Sequence, residues 1–280
     1  MQYILRPVCE LIYNMNHRER GDAMASQPIY EFYAELKDYQ PKIWRRFQVS
    51  SNVTMARLGY ILMTLFEMQA SHLFRLEVPT RENLRMSLRG SLGDEEYNQL
   101  FADDSLYEFE ENSIFEVITE DTYFYRDEDD KVYDATGHIL KQTVTNPHSK
   151  LSLVYDFGDN WDIDVTLERV FKDNNLPGRL LPRVLEGEGY GIIEDCGGIS
   201  GLTNLAKAFR MKKGTAYNEY REWLGCDDFD LETFDIDDMN FRLLKVPRIY
   251  SDIYEFDLAP TRRSIDILQR RYLNPKQVIN

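Results

Sequence analysis

The alternation of apolar and polar side chains predicts two β-strands near the start of the chain. Apolar positions alternate with polar ones through residues 29–37, which is the pattern of a half-buried strand. Pro41 marks a turn, and residues 43–49 continue the strand pattern, so the two segments predict a hairpin. Residues 72–78 return to strand periodicity.

The intervening segment has the periodicity of an amphipathic helix. Its apolar residues recur at steps of three and four, which places them on one helical face. They are Met55, Leu58, Ile61, Leu62, Leu65 and Phe66. Asn52 or Thr54 can cap the N-terminus of this helix.

The second half of the chain repeats these signals. Residues 151–155 and 163–167 predict a strand pair around the turn formed by residues 156–160. A stretch with six glycines between residues 187 and 201 is expected to be flexible, and it precedes a helix with apolar positions from Leu202 to Phe209. Shorter helices are expected at residues 217–224 and 265–268.

These elements predict an α+β fold, a largely antiparallel sheet built from hairpins with helices packed on one face. We expect an N-terminal extension at residues 1–26 and a single domain at 27–258. That domain carries an acidic insertion at about 94–134, in which residues 123–125 and 131–133 form either a hairpin or part of a solvated loop. Residues 259–280, with five bases and one acid, are expected to form a basic, partly detached tail.

The composition excludes several classes of protein. A hydrophobic content of 43% is enough for a core, which excludes a disordered tail protein. The three cysteines, Cys9, Cys196 and Cys226, suggest neither a disulfide framework nor a CxxC zinc module. No apolar stretch is long enough to span a bilayer. We therefore expect a soluble cytoplasmic protein with no membrane partner.

The net charge of −15 is concentrated in two acidic blocks. Residues 94–134 contain 16 acids and 2 bases, and residues 186–240 contain 13 acids and 5 bases. Such blocks repel phosphate, so no direct binding to nucleic acid is expected. They either keep the protein soluble or face a basic protein partner. The candidate partner-binding residues are Asp94, Glu95, Glu96, Asp103, Asp104, Glu110, Glu111, Asp127, Glu128, Asp129, Asp130, Asp227 and Asp228.

One group of residues has the chemistry of a metal site. Standard catalytic motifs are absent, because the chain has no GxxxxGK[ST] loop, no GxSxG elbow and no HExxH pair. Two Gly-containing segments carry carboxylates, one of them also carries a thiol, and a predicted strand begins with an imidazole. Together these groups suit Zn²⁺ or another divalent cation. The candidates are His72, Asp156, Asp159, Glu194, Asp195 and Cys196.

Each of these residues also has a structural interpretation. Asp residues in tight turns bond their own backbone, and Glu194 and Asp195 precede a helix that they can cap. His72 and Cys196 can equally be satisfied, non-ligating side chains.

The adjacent arginines of Trp44-Arg45-Arg46 lie on a predicted strand, so only one of them can lie on each face of the sheet. We expect a buried ion pair between Arg46 and an acidic residue.

The chain resembles the plasmid pRiA4b ORF-3-like family, which is often carried on plasmids, insertion elements and phages. The resemblance covers about residues 28–245. It rests on Pro41-Lys42-Ile43-Trp44-Arg45-Arg46, His72-Leu73, Tyr155-Asp156-Phe157-Gly158-Asp159-Asn160-Trp161, Leu167-Glu168, Glu186-Gly187, Glu194-Asp195-Cys196-Gly197-Gly198, Gly201, Trp223-Leu224-Gly225 and Phe229-Asp230. Where the family usually has Trp-x-His, this chain has Trp161-Asp162-Ile163. A potential imidazole ligand is therefore missing, which suits a binding role.

Two functions from different classes follow. The first is a non-enzymatic acidic interaction protein of a mobile element or phage, which inhibits a basic nucleic-acid-binding defence protein in the manner of an anti-CRISPR and can hold a structural metal. The second is a metal-dependent hydrolase or nucleic-acid-processing accessory enzyme, in which a divalent ion activates water and Glu194 acts as base.

Overall fold

Eight strands form a single sheet in the computed structural model, which describes residues 27–95, 97–98, 111–119 and 132–272. The strands are β1 (Ile29–Leu36), β2 (Trp44–Ser50), β3 (Phe74–Val78), β4 (Ser113–Glu116), β5 (Val132–Asp134), β6 (Lys150–Tyr155), β7 (Trp161–Phe171) and β8 (Arg183–Glu188). Their order across the sheet is β5-β4-β3-β6-β7-β1-β2-β8. Every neighbouring pair is antiparallel except β4 and β5. The predicted α+β class is confirmed, and both predicted hairpins form.

Eight α-helices accompany the sheet in the described residues. They are α1 (Met55–Leu65), α2 (Thr80–Ser91), α3 (Leu140–Thr143), α4 (Gly198–Met211), α5 (Thr215–Leu224), α6 (Ile236–Leu243), α7 (Val246–Phe256) and α8 (Arg262–Leu268). The predicted helices correspond to α1, α4, α5 and α8. Thr54 caps α1, because its hydroxyl accepts a hydrogen bond from the Arg57 amide at 3.1 Å.

Alternation along the strands separates a buried face from a polar face. Phe32 on β1 and Phe47 on β2 are fully buried, and their rings stack at 5.5 Å on the face covered by helices. On the other face Tyr33 stacks on Trp44 at 5.5 Å. Because successive strand residues point in opposite directions, the sequence pattern places the core on one side.

The glycine-rich stretch is more ordered than expected. Gly187 lies in β8 opposite Arg45, and a Cβ atom there would meet Arg45 Cδ and the Trp44 carbonyl at 2.8 Å. This glycine is therefore required for close packing between strands, and the expectation of a flexible stretch is wrong here.

The acidic insertion is described only in part. Residues 132–134 form β5, which pairs in parallel with β4. The other arm of the alternative hairpin, residues 123–125, lies outside the described residues.

The expectation of a detached basic tail is wrong through Tyr272. Arg242 donates hydrogen bonds to the carbonyls of Ile267 and Leu268 at 2.9 and 3.2 Å, and Arg270 binds Glu67. Buried charges that pair with the tail hold this segment against the domain.

Arg45, not Arg46, is the buried arginine of the pair. Arg46 forms the expected ion pairs, with Glu168 at 2.7 Å and Glu186 at 2.6 Å, but on the polar face, where its side chain is 29% exposed. Arg45 is 0% exposed and donates only to carbonyls. These belong to Leu65, Trp44, Glu188, Gly189 and Tyr190, at 2.6–3.0 Å.

The Arg45 guanidinium also lies over the Phe234 ring, 3.8 Å from its centroid. Burial lowers the pKa of Arg45 to about 9, and its carbonyl acceptors with nearby Glu67 keep the group charged at neutral pH. One side chain thus joins β2, the end of α1 and the segment after β8.

None of the helices in the described part of the chain combines the length and the apolar composition needed to cross a bilayer.

We predict that Arg45→Met lowers the free energy of unfolding by about 3–5 kcal/mol, because buried carbonyls lose their donors. Arg46→Met is the matched control and is expected to cost about 1 kcal/mol or less, since its ion pairs are partly solvated. Urea unfolding of both variants measures the difference. Equal losses would contradict the role assigned to Arg45.

Candidate functional site

Three of the six predicted metal ligands come together at the strand ends in the middle of the sheet, where β3 begins and β6 ends. His72 Nε2 lies 3.6 Å from Asp156 Oδ2 and 3.5 Å from Asp195 Oδ1. One ligand atom from each residue lies within 4.8 Å of the others. The side chains are 30%, 13% and 72% exposed, respectively, so the group opens to solvent on the Asp195 side.

Asp156 is positioned by the turn between β6 and β7. Its backbone φ of 56° is in the left-handed region, which Asp tolerates better than most residues. Its amide donates to the Leu73 carbonyl at 3.0 Å, and its Oδ1 accepts from the Gly158 amide at 3.0 Å. The second carboxylate oxygen therefore remains directed at His72.

Asp195 is positioned by the loop that leads into α4. Asp159 Oδ2 accepts a hydrogen bond from the Gly197 amide at 3.2 Å, which joins this loop to the β6–β7 turn. Gly198 has a φ of 65°, and a Cβ atom there would lie 2.7 Å from the Asp159 carbonyl oxygen. Only glycine allows the two segments to approach this closely. Asp159 thus holds the loop and lies outside the three-residue group.

Glu194 is directed away from its neighbour Asp195 and is buried. Its Oε1 accepts from the Gln69 amide at 2.6 Å and from the Tyr155 hydroxyl at 2.5 Å. Its Oε2 accepts from the Ser71 hydroxyl. Both oxygens are occupied by internal donors, so Glu194 anchors the segment before His72 instead of offering a base to the cluster.

Cys196 also lies outside the three-residue group. Burial and the nearby Asp159 carboxylate raise the pKa of its thiol to about 12. The thiol is therefore protonated at neutral pH, and its Sγ lies 3.7 Å from the Gly198 carbonyl. A neutral thiol in this position is a packing group.

The geometry of the cluster suits a small divalent ion. In a tetrahedral site with ligand bonds of about 2.0–2.2 Å, ligand atoms are separated by roughly 3.3–3.6 Å. The two distances from His72 Nε2, 3.6 and 3.5 Å, fall in this range. Three protein ligands would leave one position for water. In the absence of an ion the same distances also suit a charge interaction between a histidine and two carboxylates.

The candidate partner-binding acids are distributed over several segments. Asp94, Glu95 and Glu111 are exposed. Asp227 and Asp228 are exposed and pair with Arg221 at 3.4 Å and Lys212 at 2.8 Å. The other candidates lie outside the described residues and are Glu96, Asp103, Asp104, Glu110, Asp127, Glu128, Asp129 and Asp130.

Two buried charges of evident importance were not identified from the sequence. Arg45 has alternation as its only local signal, since one of two adjacent strand arginines must face the core. Glu67 follows the helix α1, with a side chain 5% exposed, and pairs with arginines more than 170 residues later in the chain. No sequence pattern signals that pairing.

The fold and the two turns that carry Asp156 and Asp195 define an α+β protein with an open, mostly antiparallel sheet and a small polar cluster at the ends of its central strands. The model of the plasmid pRiA4b ORF-3-like proteins matches residues 28–238, and the chain belongs to this family.

Two known proteins are similar to parts of the chain. The uncharacterized protein y4hQ of Sinorhizobium fredii (strain NBRC 101917 / NGR234) is 30% identical over 108 residues, or 38% of this chain and 54% of the relative. The match thus spans about half the length of this curated relative. A crystal structure of a protein of unknown function from Methanosarcina mazei Go1 aligns with a TM-score of 0.55 and 23% identity, covering 75% of this chain and 96% of the other. This second likeness concerns the fold alone.

The adjacent acids Glu194 and Asp195 provide a matched test of these assignments. Glu194→Gln is expected to lower the free energy of unfolding by about 1–3 kcal/mol, because an amide NH₂ would face internal donors. Asp195→Asn is expected to change stability by about 0.5 kcal/mol or less, since its side chain is exposed. Denaturant unfolding of the two variants measures the contrast, and a stable Glu194→Gln protein would contradict the anchoring role.

Proposed function

We propose that this chain is a non-enzymatic interaction protein of a mobile genetic element, and that it binds a basic protein through its acidic surface. The observation that carries the proposal is a set of exposed carboxylates that have no counter-charge among the residues that the structure describes. In a chain of net charge −15, these groups leave a negative potential directed at solvent.

Helix α5 provides the clearest part of this surface. Glu219 and Glu222 lie three residues apart, so they share one side of the helix, and both are exposed. Among the described residues neither has a hydrogen-bond or ion-pair partner. Asp237, in the first turn of α6, is likewise exposed and without an ionic partner in the described residues. These charges are available to an external cation.

A cavity gives the second acidic block a concave shape. It has a volume of about 700 Å³ and lies between the β1–β2 connection, the end of α4 and residues 228–232. Phe209, Phe229 and Leu231 form apolar parts of its lining, and two of its carboxylates are paired within the lining, Asp228 with Lys212 at 2.8 Å and Glu232 with Arg210 at 3.2 Å. The apolar part of this cavity suits the aliphatic stem of an arginine or lysine.

The partner class follows from charge complementarity. Proteins that bind nucleic acid carry basic channels, and an acidic protein that occupies such a channel excludes the phosphate backbone. The family's association with mobile elements favours a host defence protein as target, for example a CRISPR nuclease. We therefore propose anti-CRISPR-like inhibition as the specific activity.

The double variant Glu219→Gln/Glu222→Gln is expected to weaken partner binding several-fold and to reduce its dependence on salt. Partners captured from a host lysate at low ionic strength are purified, and their affinity for the chain is then measured at low and moderate salt. The control Asp38→Asn/Asp257→Asn removes the same charge from two exposed positions elsewhere. An affinity that is indifferent to salt would contradict the proposal.

A metal-dependent function is the second candidate, and the His72–Asp156–Asp195 cluster favours it. A Zn²⁺ or similar ion held by these three side chains would either stabilise the loop before α4 or activate a bound water for hydrolysis. With Glu194 occupied by internal hydrogen bonds, Asp195 is the exposed carboxylate next to such a water.

Zn²⁺ titration of the purified protein is expected to reveal one site that His72→Ala and Asp156→Asn each weaken at least about 10-fold. Binding is expected to weaken as the pH falls, because protons compete for the ligand atoms. Calorimetry measures both effects. His148→Ala and Cys196→Ser are controls that should retain the site, and retention by His72→Ala would exclude it.

A further inference from the structure

Glu67 is a buried carboxylate whose counter-charges come from the far end of the chain. It follows α1 with a φ of 64°, and its side chain is 5% exposed. Arg270 binds it with two parallel hydrogen bonds, Nη1 to Oε2 at 2.8 Å and Nη2 to Oε1 at 2.5 Å. Arg242 Nη2 lies 3.5 Å from the same carboxylate.

The surroundings of Arg270 have the chemistry of an arginine receptor. Asp238 accepts the Nε hydrogen at 2.7 Å, so a second carboxylate completes the set of acceptors. The Tyr190 ring centroid lies 5.9 Å from the guanidinium carbon. Paired carboxylates and an aromatic face recognise the planar guanidinium specifically, because an ammonium group cannot form the same fork.

Partly buried side chains and polar contacts hold the segment that delivers Arg270: Ile267 and Leu268 pack against the core, and the Tyr272 hydroxyl donates to Asp238 Oδ1 at 2.5 Å. Helix α8 contains no fully buried residue, and exposed residues 257–261 connect it to α7. Because α8 lacks a fully buried side chain, its attachment rests largely on these polar contacts, and a partner displaces the segment only by replacing them. The family match ends at residue 238, so Glu67, Tyr190 and Asp238 lie within the shared domain and Arg270 lies beyond it.

We propose that Glu67, Asp238 and Tyr190 form a guanidinium-binding pocket that Arg270 fills in cis, and that an arginine of a cationic protein partner binds there when residues 262–272 detach. This proposal rests on the proposed function, because it assumes a basic partner. Arg242 remains beside Glu67 after the exchange, so the buried carboxylate keeps a counter-charge. A cavity of about 290 Å³ adjoins these side chains and provides space for the incoming residue.

Competition between the internal and an external arginine tests the pocket. The probe is a short blocked peptide with one arginine between glycines, and its twin carries lysine. Arg270→Ala in the full chain is expected to bind the arginine peptide at least about 10-fold more tightly than the wild type, because the internal competitor is gone. The arginine peptide is also expected to raise the melting temperature of Arg270→Ala, and the lysine peptide is not.

Matched variants keep the test decisive. Arg271→Ala removes a neighbouring arginine that pairs with Asp266 at 3.3 Å, outside the proposed pocket, and it should bind like the wild type. Glu67→Gln/Arg270→Ala should lose the gain. If Arg270→Ala does not fold, Arg270→Lys replaces it, because it retains the charge and loses the fork. The pocket is excluded if Arg270→Ala and the wild type bind the arginine peptide with equal affinity. It is also excluded if Arg270→Ala binds the arginine and lysine peptides equally. Salt-dependent partner binding that survives such a result would leave the proposed function standing.

Discussion

The buried Arg45 guanidinium is the interaction on which the rest of the structure depends. Its carbonyl acceptors come from β2, from the last turn of α1 and from the segment after β8. A positive charge that is buried away from water is stable only when its N–H donors are hydrogen-bonded. The segments that supply the carbonyl acceptors are therefore held in one arrangement. The end of α1 is fixed further by Gly191, where a Cβ atom would lie 2.7 Å from the Phe66 carbonyl oxygen.

Two buried carboxylates extend this constraint to the segment that follows α1. Glu67 is held by arginines from the C-terminal segment, and Glu194 accepts hydrogen bonds from Gln69 and Ser71. Residues 67–71 are therefore fixed from two directions, and His72 emerges at a defined place beside Asp156. The metal-like cluster and the arginine pocket are thus neighbours on one segment, and both depend on charges buried at its ends.

The acidic residues of the described chain fall into two groups, those that pair with basic neighbours and those that do not. On the polar face of the sheet, acids are neutralised by neighbours, as in Arg46 with Glu168 and Lys37 with Asp162. Glu219 and Glu222, whose carboxylates have no partner in the described part of the chain, lie on a helix beyond the sheet. Local pairing therefore neutralises charge on the scaffold, and the proposed attraction of a basic partner depends on the surplus charge.

Elements whose signals are local could be predicted from the amino-acid pattern alone. Strand alternation in β1 and helical periodicity in α1 repeat within a few residues, so the α+β class and the buried sheet face followed from the pattern. The turn at Asp156 and its link to His72 were likewise predictable as a group of possible ligands. Sequence did not separate Glu194 from Asp195, or Arg45 from Arg46, because the members of each pair are chemically alike. Tertiary structure decided which of them is buried, since burial depends on the approach of Tyr155, Gly189 and other groups distant along the chain. The same reason explains Glu67, whose partner Arg270 becomes a neighbour only when the C-terminal segment packs against α1.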